Sequence, residues 1–330
     1  MIVGLLKNKL QVSIFTLLLI CLALFAYSFV IPVSYNEVYN VSDNLLYHLI
    51  FQGFANSPVF NAFFNLLLIL LGSFFISYLT TENEIVKKDN FLPAFIYLLF
   101  SYSAITSNQL QPLLIANLLV LISLRFLYNS YRNENALSDS FGAGFLLTLA
   151  SSFYTYYILI IPIGIIALLI LKSFNWREWL SFLFGVLAPI YIYMCISYLL
   201  LGEFNEPFEL VSKCLKSAQL PVISEFYLVF ILITAFLFCL ALFYYITKGF
   251  GSRVKIQKSK FILIWLTAFT FVVSLLDTSS NFFFFLAMLP LSIIIGDYLG
   301  EIKQLKIANT LLLLFIAGFA VICFHNLNFI

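Results

Sequence analysis

Residues Lys248–Lys260 read KGFGSRVKIQKSK, with Lys248, Arg253, Lys255, Lys258 and Lys260 and no acid. The stretch lies between two apolar runs, 225–247 and 261–276, in a chain where only 10% of residues are charged. Short connections rich in Lys and Arg stay on the cytoplasmic side of a membrane, because moving those charges through hydrocarbon is costly and the potential opposes it. With this loop inside, the side of every other connection follows from counting spans.

Composition fixes the solvent. Of 330 residues, 63% are hydrophobic, and the mean hydropathy is +1.04. A soluble domain is roughly 45–50% apolar and about 25% charged. No soluble fold of this length hides so much apolar surface, so lipid must surround most of it. The expected class is an all-α, polytopic helical membrane protein forming one integral membrane domain over residues 1–330. The net charge of +2 is small and unevenly placed, which argues against a nucleic-acid partner. Five cysteines, Cys21, Cys195, Cys214, Cys239 and Cys323, show no CxxC or Cys/His spacing, so neither a disulfide framework nor a metal site is expected. The first apolar run is long enough to span and no A-x-A-like cleavage site follows it, so it reads as an uncleaved helix.

Eleven segments satisfy the length and polarity of a span, some of them short: 10–32, 59–80, 91–106, 113–128, 141–153, 155–171, 178–201, 225–247, 261–277, 282–299 and 307–325. With the N-terminus inside, 15 of the 17 basic residues fall on inner connections, and only Lys213 and Lys216 fall outside. A wrong count would scramble that segregation. The expectation is eleven spans in a bacterial cytoplasmic membrane, N-terminus in and C-terminus out. Three outer connections are short, 107–112, 151–157 and 277–281, and two are long, 31–58 and 202–224. In 42–58, Leu45, Leu46, Leu49, Ile50 and Phe54 share one helical stripe, as in a helix lying on a membrane. Trp176, Trp179, Tyr154, Tyr156 and Tyr157 near span ends fit an interfacial aromatic belt.

Chemistry in such a chain falls to ionisable groups at or within the apolar zone. On the outer side Glu37 and Asp43 follow the first span in a connection without a basic residue. A carboxylate there can act as a general base toward an acceptor hydroxyl or hold a divalent ion; a solvated loop acid is the plainer reading. No ligand cluster accompanies them, so no metal or other cofactor is expected. Asp277 ends a span and either lines a cavity or caps a wet helix end. His48 on the amphipathic stretch reads first as interfacial, and His325 as incidental. Asp297 and Glu301, near Lys303, read as making local ion pairs or facing water. Arg125, near an inner span end, can snorkel. GxxxxGK[ST], HExxH and GxSxG are absent. No span carries a charge at its centre, which weighs against an ion-coupled transporter.

The run Tyr35-Asn36-Glu37-Val38-Tyr39, followed by Ser57-Pro58, Phe63-Phe64 and Leu71-Gly72, and later Phe282–Phe285 leading to Leu289-Pro290 and Gly296, resembles the GT-C class of polyprenyl-phosphate-sugar glycosyltransferases. The likeness is diffuse and covers roughly residues 1–300. It implies a catalytic base at Glu37 assisted by Asp43. Tyr35, Asn36 and His48 would meet substrate, and Asp277 and Asn281 would line a carrier cleft. Two departures stand out: Asn36 occupies the place of the class's first acid, and Ser280 and Asn281 replace a basic residue before the aromatic run. The chain also resembles a group of Bacteroidota multi-pass membrane proteins, a likeness that implies no activity. Three readings stay open. One is a transferase taking a lipid-linked sugar to an envelope acceptor. The second is a non-catalytic scaffold or pseudoenzyme with envelope-protein partners, and the third, less favoured, is a transporter or flippase. Membrane lipids are partners in all three.

Overall fold

The computed structural model describes residues 2–8, 10–28, 58–87, 90–103, 111–131, 133, 135–172, 175–202, 212, 225–248, 253–276 and 285–328. These residues form α1 (Ile2–Asn8), α2 (Leu10–Ser28), α3 (Pro58–Glu82), α4 (Leu92–Ser103), α5 (Pro112–Asn129) and α6 (Leu137–Phe153). There follow α7 (Ile161–Leu171, entered through a 3-10 turn at Thr155–Ile160), α8 (Trp176–Leu201), α9 (Glu225–Lys248) and α10 (Val254–Leu276). The last two are α11 (Met288–Glu301, entered through a 3-10 turn at Phe285–Ala287) and α12 (Leu305–Asn328). No strand occurs among the described residues.

A helix lies in each of the eleven apolar segments. Six are long and apolar enough to cross a membrane: Val59–Glu82, Pro112–Asn129, Trp176–Leu199, Glu225–Thr247, Val254–Ser274 and Leu305–Phe324. This is a membrane protein, as hydropathy requires. Ser13–Ala26, Leu92–Ser103 and Thr155–Leu171 are apolar but shorter. The short helix α1 precedes the first apolar segment, and α10 starts at Val254, so much of the basic stretch is helix rather than loop.

The helices sort by what they touch. Every residue of α4, Leu92 to Ser103, is buried, and α11 is buried on nearly all sides. At 12 residues, α4 is about 18 Å long, against about 30 Å of hydrocarbon. A helix screened by its neighbours need not match that thickness, which is why this core segment reads as a short apolar run. By contrast α8, α9 and α12 show the outward-facing apolar residues of a rim: Tyr191, Leu199, Phe243, Ile246 and Phe324 are all well exposed. In water such surface would be prohibitive; against acyl chains it is neutral.

Without a hydrophobic drive between helices in lipid, close approach comes from small residues. The α4–α11 crossing is one case: a Cβ on Gly296 would stand 2.6 Å from the Cα of Pro93. The α6–α8 pair is another, with Gly144 seated on the Phe182 carbonyl and Gly185 on the Phe141 carbonyl. Packing is thus reciprocal, each helix offering a glycine to the other's backbone. α5 lies against α6, and α10 bridges α7 and its 3-10 turn to α11. Of the expected aromatic belt, Trp176 is exposed, but Tyr157 is buried and donates to Asn117 Oδ1. Burial inside the bundle, with a partner for the hydroxyl, outcompetes the interface at that position.

Gly144→Leu or Gly185→Leu is expected to wedge α6 from α8 and lower the thermal midpoint in detergent, since overpacking costs about 1–3 kcal/mol or more. Gly142→Ala, whose Cβ would rest 3.4 Å from the Phe126 ring, should leave the midpoint nearly unchanged.

Candidate functional site

Two carboxylates are buried among the described residues, Glu178 and Asp297, and three helices meet at the second. Asp297 on α11 is 2% exposed. Its Oδ2 accepts from Lys260 Nζ of α10 at 2.6 Å and from the Tyr245 hydroxyl of α9 at 2.7 Å. Lys260, 8% exposed, also stands 4.7 Å over the Tyr245 ring. Three helices therefore meet at one shared oxygen. Charges out of water survive only when paired and hydrogen-bonded, and here the ammonium, carboxylate and phenol satisfy one another. Asp297 neither faces water nor pairs with Lys303, which corrects the sequence expectation. The signal that could have found it is local: an acid within the apolar run LSIIIGDYLG, directly after the crossing glycine Gly296.

The chain's local structure delivers these groups to one level. α9 ends at Lys248 and α10 begins at Val254, so Tyr245 and Lys260 flank the same turn-back. α11 arrives at that end with Asp297 one helical turn before Glu301. Around the triad, Tyr244 meets Tyr298 edge-on at 5.6 Å, and Ser259, fully buried, presents its carbonyl to the Tyr128 hydroxyl at 3.4 Å.

The other described ion pairs gather at the same end. Lys87 meets Glu301 at 3.1 Å and Arg125 meets Glu82 at 3.6 Å, so Arg125 is paired as well as reaching outward. Lys172 pairs with the buried Glu178 and also donates to the Asn133 carbonyl. Asn175 caps α8 by accepting from the Arg177 N–H at 3.3 Å. Arg253 pairs with Glu84. Glu84 has φ +53: it occupies the left-handed position of a Schellman turn, in which Ile85 N–H donates to the Thr80 carbonyl at 2.9 Å and Glu84 N–H to Thr81 at 3.2 Å. That turn, rarely built on a residue with a side chain, aims the carboxylate at α10. Lys258 donates to the Leu171 carbonyl at 2.9 Å and stands 5.5 Å from the Tyr131 ring centre.

The residues singled out from the sequence, Tyr35, Asn36, Glu37, Asp43, His48, Asp277 and Asn281, lie outside the described residues. Among the described residues no group of three or more His, Cys, Asp or Glu has the arrangement of a metal site. Holding three helices at one oxygen, the triad has the chemistry of an interhelical clamp.

A chain of apolar helices, a buried core pair and charges clustered at one end defines a polytopic helical membrane protein. Within that class it belongs to DUF6427, a family of unknown function, whose model matches residues 39–330. Asp43, His48, Asp277 and Asn281 fall inside the matched stretch, and Tyr35, Asn36 and Glu37 precede it. No curated protein and no solved structure matches the chain.

Lys260→Met or Asp297→Asn alone is expected to cost about 3–5 kcal/mol by leaving a buried group unpaired, read as loss of the monodisperse peak in size-exclusion chromatography. The double variant K260M/D297L should recover most of that peak. Single variants as stable as the wild-type chain would remove the clamp from this role.

Proposed function

We propose that this chain is a multi-pass protein of a bacterial cytoplasmic membrane that transfers a sugar from a polyprenyl-phosphate carrier to an envelope acceptor at the outer face. In this reading all eleven helical segments cross, with the N-terminus in the cytoplasm and the C-terminus outside. The transferase reading rests on the resemblance of residues 35–39 and 282–290 to the GT-C class, and its orientation is supported by the gathering of the five described ion pairs at one end of the helices, on segments the charge count assigns to the cytoplasm. Salt bridges join the described segments at that end. The connections bearing Glu37, Asp43 and His48 spring from the opposite ends of α2 and α3, and Asp277 and Asn281 follow the opposite end of α10.

The chemistry needs few groups. The Glu37 carboxylate takes the proton of the acceptor hydroxyl as that oxygen attacks the anomeric carbon. The bond from that carbon to the carrier phosphate breaks, and the lipid phosphate leaves with the electron pair. Asp43 assists by holding the acceptor or an ion, and Tyr35, Asn36 and His48 meet the sugar. Asp277 and Asn281 line the path of the carrier. No resident cofactor is required. A second reading, a non-catalytic scaffold of an envelope complex, is favoured by the scarcity of paired ionisable groups: Asn36 stands where a carboxylate would complete the acidic pair, and Ser280 and Asn281 stand where a basic residue would precede the aromatic run.

Complementation of a deletion strain with Glu37→Gln and Asp43→Asn separates the two. A glycan missing in the deletion, and not restored by either variant at normal protein level, is the result expected of a transferase; unchanged glycans in the deletion strain would sink it. Topology has its own check: alkaline phosphatase fused after Ile330 should be active and the same fusion within 249–252 inactive, with the reverse pattern overturning the orientation.

A further inference from the structure

Three segments converge at a corner of the ion-paired end. The Phe91 N–H donates to the Leu6 carbonyl at 3.1 Å, and the Val3 N–H donates to Asn309 Oδ1 at 3.0 Å. These bonds seat α1 between the α3–α4 connection and the first turns of α12. Lys87, its side chain 69% exposed, reaches Glu301 at 3.1 Å. Lys7 is close to both: burial first and then the Lys87 charge hold its ammonium below the ordinary lysine range, while Glu301 pulls the other way. Lys303, two residues beyond Glu301, and Lys306, in the first turn of α12, are exposed.

The charge at this corner is unbalanced. Among the described residues, Lys87 and Lys7 stand at the Glu301 carboxylate, and the chain from Glu301 into the first turn of α12 adds the exposed Lys303 and Lys306 with no further acid. The neighbouring acids are engaged elsewhere, Asp297 by Lys260, Glu82 by Arg125 and Glu84 by Arg253. Beside the cations, Leu305 is 50% exposed and Ile307 47%, at the foot of a helix that also exposes Leu313, Leu314, Val321 and Phe324. Exposed ammonium groups directly above an apolar helix face match one kind of molecule, a lipid with an anionic head. Lysine suits a phosphate as a mobile point charge, and the apolar face suits acyl chains.

We propose that this corner binds the headgroup of an anionic phospholipid, its phosphate held by Lys303 and Lys306 with Lys87 and Lys7 beside them, its chains along Leu305, Ile307 and α12. The lipid thereby fastens α1 and the α11–α12 connection to the leaflet. Binding of this kind is independent of any transferase activity, so the two readings fail separately.

The test uses the purified full chain in phosphatidylcholine nanodiscs carrying spin-labelled phosphatidylglycerol or spin-labelled phosphatidylcholine, with association read from the immobilised fraction. The wild-type chain is expected to prefer the anionic lipid, and K303Q/K306Q to lose roughly 5-fold per lysine, about 25-fold together. Arg177→Gln, at an exposed cation on α8 away from the corner, should keep the preference. Where the double variant fails to fold, Lys303→Gln alone is read for its 5-fold loss. Equal association of both lipids with the wild-type chain, or an equal loss in Arg177→Gln, would overturn the site. Displacement of the labelled lipid by millimolar inorganic phosphate would overturn the lipid as its occupant.

Discussion

A carboxylate and an ammonium held out of water between three helices constrain everything around them. The Lys260–Asp297 pair loses the hydration of two ions, and in a low-dielectric interior that loss is offset only while geometry is maintained. The Tyr245 hydroxyl on the same oxygen and its ring beneath the ammonium supply the remaining contacts. Sliding α10 or α11 by one turn would strand a charge, and sliding α9 would strand the buried Tyr245 hydroxyl. Apolar helices in lipid otherwise have little to choose between registers, because one leucine face packs much like another. The triad therefore sets which register these three helices adopt.

Around that fixed point the bundle is graded from inside to outside. α4 and α11 form a core in which glycine and proline backbones touch, and the long helices on the rim spend their apolar faces on lipid. The remaining ion pairs cluster at the same end as the triad, where water and headgroups make exposed pairs inexpensive and individually weak. Strength there comes from number and from joining segments far apart in sequence, such as Lys87 to Glu301 and Arg253 to Glu84. One end of the protein is consequently cross-linked by charge, and catalytic chemistry under the proposed function belongs to the other.

The positions of the helices were legible because hydropathy is a local property: a run of leucine, isoleucine and phenylalanine has no alternative in lipid but to coil. Their environments were less so. Lys258 and Lys260 read as solvated loop residues because they follow three other cations, yet α10 begins before them and carries both into packed surroundings. Asp297 read as a surface acid because Lys303 lies near it in sequence, while its true partner is 37 residues away. Tyr157, placed by pattern at an interface, is inside. For Asp297 the charge nearest in sequence was not the nearest in space.

By itself the sequence determined the class of the protein, the location of eleven helical segments and the segregation of basic residues to alternate connections, since each depends on the transfer energy of short stretches taken one at a time. Only the tertiary structure decided which helices are core and which are rim, that the core pair touches through Gly296 and Pro93, and that Asp297, Lys260 and Tyr245 meet. Those outcomes depend on helix rotation and register, which are fixed by pairwise contacts between distant segments and leave no imprint on the hydropathy of either one.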